Sequence, residues 1–352
     1  SRRGSEFERN GKFFEAEQIY KQIVQVRPVF PTGHFVYGMF KLLKGDYEGA
    51  WPYFERRLDT PFYLDKPTSK IPMPLWDGAP APEATLFVHV DQGIGDAILC
   101  ARFLPRAADS CKRVVFQVHD GFERFFQGVD PRVGVIGRGE DSSPFNYHLH
   151  AYSLPAVFAA KPGDIPQPPY IHADPELAGK WKDRLGEGGG LKVGLCWRGE
   201  ARHERDAERS LALAELEPVL NIPGVRFFSL QVAAAAGEIS RLAGGREIED
   251  LSVSLAENPD AMMDTAAAIA NLDLVISVDT AVAHVAAAMG RPVWVLSYLV
   301  PEWRWVVLDG QAPGGFAAGP WYPTARIFPK HERYDWSGAV NDLAGALAGE
   351  AG

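Results

Sequence analysis

Val275-Ile-Ser-Val-Asp279-Thr280-Ala-Val-Ala-His284-Val-Ala-Ala-Ala-Met289-Gly290-Arg-Pro292-Val-Trp-Val-Leu296 reads as a buried strand that runs into an alanine-rich helix, a Gly-Arg-Pro turn and a second apolar strand. A strand, turn and helix in this order offers free backbone N–H groups and the positive end of a dipole to an anion, and a diphosphate is the obvious guest. Asp279 and His284 stand five apart, one in the turn and the other about a turn and a half into the helix. Both can line the crevice at the carboxyl end of a parallel sheet, where open α/β folds bind ligands.

Composition narrows what surrounds this stretch. The 352 residues are 46% hydrophobic and 23% charged, the balance of ordinary globular protein with room for two or three domains. A net charge of −9 without any Lys/Arg-rich run argues against nucleic acid or an anionic membrane as the main partner. Three cysteines, Cys100, Cys111 and Cys196, show no metal or disulfide spacing, and Cys100 and Cys196 lie in apolar runs that read as core. No segment reaches the ~18 uninterrupted apolar residues of a spanning helix, and a cytoplasmic location, with a membrane-peripheral one as the alternative, is expected. The opening Ser-Arg-Arg-Gly-Ser-Glu-Phe looks like a cloning scar, which would hide any upstream targeting signal.

Outward from the deciding stretch, the alternation of strands and helices extends over two blocks. In residues 190–330 strands are expected at Lys192–Trp197, Val225–Leu230, Asp273–Val278 and Val293–Leu296, with helices at Leu213–Leu220, Ala261–Ala270 and Ala281–Met289. In 61–185 they are expected at Thr85–Val90, Arg113–Val118, Val133–Ile136 and Phe145–Leu149, with a helix from about Ala97 to Ala108. This spacing implies α/β architecture, two doubly wound Rossmann-like domains with parallel sheets. The flexible Glu187-Gly-Gly-Gly190 run is expected to join them across a ligand cleft. The proline-rich stretch Pro61–Pro82 reads as an extended connection. A last helix is expected in 331–352, from Trp336 to Ala348.

Residues 8–60 are helical and weakly repetitive. Gly11-x-Phe13-x-x-Ala16-x-x-x-Tyr20 recurs 34 residues later as Gly45-x-Tyr47-x-x-Ala50-x-x-x-Phe54, a period that resembles tetratricopeptide (TPR) repeats. A plain helical hairpin docked on the next domain gives nearly the same pattern.

Three constellations carry potential chemistry. Asp91-Gln92-Gly93-Ile-Gly95-Asp96 follows a strand and opens a helix, so the glycines permit a sharp turn from which Asp96 projects. No third glycine follows and the next strand ends in His119, which argues against dinucleotide binding. Asp96 is either a helix cap or a general base. Next, Trp197-Arg198-Gly199 leads into a run with Arg202, His203, Arg205, Arg209 and Ser210, a local basic loop able to clamp phosphate oxygens. The interleaved Glu200, Glu204, Asp206 and Glu208 make a merely solvated loop the competing reading. Third, Met262-Met263-Asp264-Thr265 opens the helix before the key strand, as a cap or as a ligand contact. His284 is either a ligand contact or a satisfied core histidine. The chain contains no D-x-D triplet, so no metal and no cofactor is expected, and positive side chains with a helix dipole would have to stabilise a leaving diphosphate.

Together these pieces resemble the TPR-linked, GT-B-type glycosyltransferases related to glycosyltransferase family 9, the heptosyltransferase family. The resemblance rests on Gln92-Gly-Ile-Gly-Asp96, Val193-Gly-Leu-Cys-Trp197 with Arg209-Ser210-Leu, Phe228-Ser-Leu-Gln231, Asp264-Thr-Ala-Ala-Ala-Ile-Ala270, and Asp279-Thr-Ala-Val-Ala-His284 through Gly290-Arg-Pro292. Pro301-Glu-Trp-Arg-Trp305 and Trp321-Tyr-Pro323 are also similar to that group. It implies that Asp96 is the base for the acceptor hydroxyl, with Gln92, Gly93 and Gly95 shaping the acceptor-side turn. Donor binding would fall to Arg198, Arg209, Ser210, Gln231, Met263, Asp264, Thr265, Asp279, Thr280, Ala281 and His284. Asp91 and Arg198 depart from residues more usual in the group, which bears on specificity. The expected reaction is inverting, metal-independent transfer of a sugar from a nucleotide-sugar to a hydroxyl, with a protein acceptor or partner held by the TPR-like block. The rivals are an inactive TPR/GT-B scaffold that binds a protein partner, and a sugar-nucleotide epimerase.

Overall fold

Apolar strands alternating with helices build two parallel sheets, each inside its own compact unit of this computed structural model. The structure describes residues 2–140, 144–203, 205–231, 235–242, 247–256, 260–311 and 315–351. The first unit comprises the chain up to Gln167 together with Glu302–Trp321, and the second comprises Pro168–Pro301 with Tyr322 onward.

The first unit opens with four helices, Arg2–Arg9, Phe13–Val26, Pro31–Leu43 and Tyr47–Phe54, so helix extends to the N-terminal side of the block read from the sequence. The 34-residue recurrence has a physical basis here. Gly11 and Gly45 both turn with positive φ, 71° and 76°, a region that favours glycine. Ala16 and Ala50, like Tyr20 and Phe54, are fully buried. The small residues admit a neighbouring helix and the aromatics fill the space between.

The proline-rich stretch is not simply extended. Pro61–Leu64 and Pro67–Lys70 are short helical turns that each begin with proline, whose fixed φ suits a first turn. Its last residues enter β1 (Ala81–His89), where the register shifts between Ala81 and Thr85, an irregularity that accommodates Pro82. β2 (Cys111–Gln117), β3 (Val133–Ile136) and β4 (Tyr147–His150) complete a parallel sheet of order β3-β2-β1-β4. Strand order reverses beside β1. The single helix expected over Ala97–Ala108 is two, Ile94–Ala101 and Leu104–Ser110, because Pro105 lacks the N–H that a continuous helix needs and begins a new one instead.

In the second unit β5 (Leu191–Cys196), β6 (Val225–Ser229), β7 (Ile248–Asp250), β8 (Leu274–Val278) and β9 (Val293–Ser297) lie parallel. After β9 the chain contributes β10 (Val306–Leu308) and β11 (Phe316–Ala318), an antiparallel pair in the first unit. It returns as β12 (Ala325–Pro329) beside β9. The order β12-β9-β8-β5-β6-β7 reverses between β8 and β5. Every residue of β8 and β9 is buried, as expected for parallel strands covered on both faces. The final helix, Ser337–Ala351, presents Ala339, Val340, Leu343 and Leu347 to this core at helical spacing. Each buried leucine contributes roughly 1.5–3 kcal/mol.

The compact units divide at Gln167/Pro168 rather than at the glycine run of 187–190. Helix Pro175–Leu185 belongs to the second unit because its Trp181 indole N–H donates to Asp264 Oδ1, 2.7 Å away, in helix Ala261–Ile269.

Candidate active site

In the second sheet, the carboxyl ends of β5 and β8 flank the point where strand order reverses, the place at which ligands enter such folds. β8 ends at Val278, and Thr280, in extended conformation, precedes the eight-residue helix Ala281–Ala288. This first turn carries no acidic residue, and Thr280 makes no side-chain capping bond to it. Its hydroxyl is occupied elsewhere. Ser277 Oγ donates to the carbonyl of Val278 at 2.7 Å and lies 3.0 Å from Thr280 Oγ1, so Thr280 must be the donor of that second bond. Asp279, Thr280, Ala281 and Val282 remain partly exposed, while Ala283–Ala288 are buried. The run of alanines lets the helix seat closely on the sheet and leaves only its N-terminal rim open.

The loop after β5 closes on the same rim. Arg198 N–H donates to Gln231 Oε1 at 2.9 Å, and the Cys196 thiol lies 3.6 Å from that oxygen and 3.8 Å from Thr280 Oγ1. Burial pushes this thiol up, so it packs rather than reacts. Gly199 N–H donates to Ser210 Oγ, which in turn donates to Asp206 Oδ1, both at 2.9 Å. Arg209 reaches the carbonyl of Asp279 at 3.1 Å through Nη1, tying loop to turn. A Cβ at Gly199 would stand 2.4 Å from the Arg209 guanidinium, so any side chain there would displace it. Lys330, buried just past β12, holds the loop from below by donating to the carbonyl of Glu208 at 2.8 Å.

The basic loop is less basic than its sequence suggests. Arg198 pairs with Glu238, Arg202 with Glu200, Arg205 with Glu208 and Arg209 with Asp206, at 2.6, 3.3, 3.1 and 3.1 Å. Glu204 lies outside the described residues. An anion at this loop would meet paired arginines rather than a cluster of uncompensated charges.

His284 is 5% exposed, with Nδ1 3.0 Å from the Tyr322 hydroxyl and Nε2 3.9 Å from Asp279 Oδ1. The ring is held as a core histidine would be, between a phenol and a carboxylate that reaches the rim. Met263, Asp264 and Thr265 lie in helix Ala261–Ile269. Their helix opens at Ala261 rather than at Asp264, so Asp264 is not its cap: its carboxylate takes the Trp181 indole, and the Thr265 hydroxyl donates to the Ala261 carbonyl one turn back at 2.8 Å.

In the first sheet the turn after β1 leads into helix Ile94–Ala101. The chain bends at Gln92, and Gly93 occupies the cap position with φ −66° and ψ 163°, a conformation open to any residue, so the bend does not draw on glycine's conformational freedom there. A Cβ at Gly93 would meet nothing within 4 Å. Gly95 and Asp96 lie inside the first helical turn, which places Asp96 past the cap position. Gln92 spans the turn, bonding the Tyr63 hydroxyl through its side chain while its carbonyl lies 2.8 Å from His119 Nε2.

Sequence reasoning missed the partner of Asp96. Arg304 donates to Asp96 Oδ1 through Nε at 3.0 Å and Nη2 at 2.6 Å, and Nη2 also bonds the hydroxyl of Tyr152, whose phenol is driven well up by burial. The two residues are 208 positions apart, so no local pattern signals the pair. Behind the turn, Asp91 Oδ2 lies 2.7 Å from His150 Nδ1, and His89 Nε2 lies 3.2 Å from His148 Nδ1. Burial alone would raise the Asp91 carboxyl, yet the His150 imidazole, with Lys66 and Arg57, holds it below the usual carboxylate range. Burial and the neighbouring His150 push His148 down to about 4.

Residues 212–296, from the end of the basic loop through β9, match the profile of glycosyltransferase family 9 (heptosyltransferase). The chain is 27% identical over 321 residues, 85% of its length, to Protein FlbA of Caulobacter vibrioides, and spans about half, 52%, of that relative. Its fold resembles Escherichia coli ADP-heptose lipopolysaccharide heptosyltransferase II, with a TM-score of 0.52, 14% identity, and coverage of 76% of this chain and 99% of the other. It also resembles a family 9 glycosyl transferase from Veillonella parvula, with a TM-score of 0.50, 13% identity, and coverage of 78% and 100%. The matched segment contains Gln231, Asp279, Thr280 and His284 but neither Asp96 nor Arg304. Residues 212–296 thus carry the mark of glycosyltransferase family 9, and the fold of the chain resembles that of the family's solved heptosyltransferases.

Proposed function

We propose that the protein is an inverting, metal-independent glycosyltransferase that binds the phosphate of a nucleotide-sugar at the Thr280 helix and uses Asp96 as general base. The observation that carries this reading is the uncapped, acid-free entrance of helix Ala281–Ala288 at the reversal of strand order, within the segment that matches family 9. Helix amides and Arg209 take the phosphate oxygens, while Asp279 and His284 border the ribose side. Asp96 accepts the proton of an acceptor hydroxyl on Oδ2, because Oδ1 is taken by Arg304. The acceptor oxygen forms a bond to the anomeric carbon as the carbon–oxygen bond to phosphate breaks, and its electron pair leaves with the nucleoside phosphate. No catalytic metal enters this scheme.

The helical block holds a protein acceptor in this reading. Gly11 and Gly45, and the buried pairs Ala16/Ala50 and Tyr20/Phe54, support a TPR-type array, and such arrays bind peptide. A panel of UDP-, GDP-, ADP- and CMP-sugars tests the activity. Nucleotide release that rises with a hydroxyl acceptor and persists in chelator is expected. Binding without release from every donor supports the scaffold alternative, and interconversion of sugar epimers supports the epimerase.

A further inference from the structure

The proposed donor site makes no use of the Trp303-Arg304-Trp305 motif, whose placement is unusual. The chain on either side of Glu302–Trp321 belongs to the second unit, yet these residues pack in the first. Trp303 and Trp305 are each 2% exposed. The Trp303 ring stands 6.4 Å from Trp51, 6.2 Å from Phe54 and 5.3 Å from Trp321, and the Trp321 indole donates to the Tyr47 hydroxyl at 3.1 Å. Arg102, also buried, bonds the Trp321 carbonyl at 2.7 Å. This aromatic seating fixes the backbone from which Arg304 extends.

The guanidinium is fixed as well. It bonds Tyr152, approaches Glu302 at 3.4 Å, and lies 5.1 Å from the Trp303 ring centroid and 5.6 Å from that of Tyr152. Arg304 and Asp96 side chains are only 16% and 18% exposed, so water screens the pair less than it would a surface bridge. Both of its bonds to Asp96 fall on one oxygen. A fork that grips Oδ1 at two points removes rotation of the carboxylate and leaves the other oxygen to a ligand.

We infer that Arg304 is a positioning residue that locks the Asp96 carboxylate in the orientation in which Oδ2 meets the acceptor hydroxyl. The inference rests on the reading of Asp96 as base. It is tested by a double-mutant cycle of Asp96→Asn and Arg304→Gln, with Arg304→Lys as the conservative variant, in the full chain. Turnover is followed as nucleotide release from the donor selected by the sugar-nucleotide panel, and melting temperature is recorded for each protein. Arg304→Gln is expected to lower kcat at least tenfold with donor KM changed less than twofold. Arg304→Lys should restore part of the loss, because a point charge reaches Oδ1 without the fork. In the Asp96→Asn background Arg304→Gln should cost nothing further, since a residue that acts through Asp96 has nothing left to position. Wild-type kcat in a folded Arg304→Gln protein overturns the inference, as does an equal loss in both backgrounds. Undiminished turnover in Asp96→Asn overturns the base assignment instead. If Arg304→Gln does not fold, Tyr152→Phe removes only the phenol that seats the guanidinium. It should then lower kcat severalfold in the wild-type background and not in Asp96→Asn, and equal effects would overturn the inference.

Discussion

The corner after β1 and the corner after β8 have the same construction and opposite charge. Each joins a parallel strand to an eight-residue helix whose cap residue is extended and makes no side-chain capping bond. In the first, Asp96 sits in the opening turn and supplies its own anion to the dipole. In the second the opening turn carries no acid, Asp279 standing just ahead of the cap beside His284, and Arg209 is drawn to the turn from the neighbouring loop. In the proposed mechanism one backbone design serves two tasks: where the opening turn brings a carboxylate it takes a proton, and where it brings none it takes a phosphate.

If that division holds, the two corners respond differently to small changes. The largest effect is expected at the first: Asp96→Asn should lower turnover about 10²–10⁴-fold, the usual contribution of a general base. Nucleotide affinity by calorimetry should stay within twofold. A parallel loss of affinity would blur the two corners into one. At the second, Gly199→Ala should push the Arg209 guanidinium off the Asp279 carbonyl and raise donor KM about tenfold, ~1.4 kcal/mol, with little change in melting temperature. An unchanged KM would remove Arg209 from the donor site.

The smallest effect concerns the ground behind the first corner. His148 is held down to about 4, whereas an unfolded histidine titrates near 6.5, so between these values the unfolded chain binds more protons and folding stability falls as pH falls. The depressed Asp91 carboxyl adds a further loss at more acid pH, as it becomes protonated. Melting temperature should therefore decline from pH 6.5 toward 4, and less steeply in His148→Gln. Equal slopes in both proteins would mean that His148 does not govern the decline.

The second corner was more legible in the sequence than the first. β8, the alanine helix and β9 are continuous apolar or small-residue runs separated by Gly290-Arg-Pro292, so period and punctuation agree. β12 escaped notice because it is an edge strand with a largely half-exposed burial pattern ending in Pro329. β7, β10 and β11 are three residues each, too short to show alternation. The ligands of the basic loop were visible as residue types, but their neutralisation was not, since Glu238 lies 40 positions from Arg198. Asp264 shows the same limit. Its place near a helix start suggested a cap, and only the fold reveals the Trp181 indole that it binds. Arg304 lay in a recognised aromatic motif, yet nothing short of the tertiary structure joins it to Asp96.

The central claim, that an acid-free helix entrance binds the donor phosphate, is met most directly by giving the second corner the charge of the first. Ala281→Asp places a carboxylate in the opening turn, where it favours the helix by a few tenths of a kcal/mol up to ~1 kcal/mol and repels an anion. Calorimetric titration with the nucleoside diphosphate or monophosphate of the preferred donor should show affinity reduced more than tenfold, while the nucleotide-free melting temperature holds or rises. Unchanged affinity in a protein of unchanged stability would contradict the account.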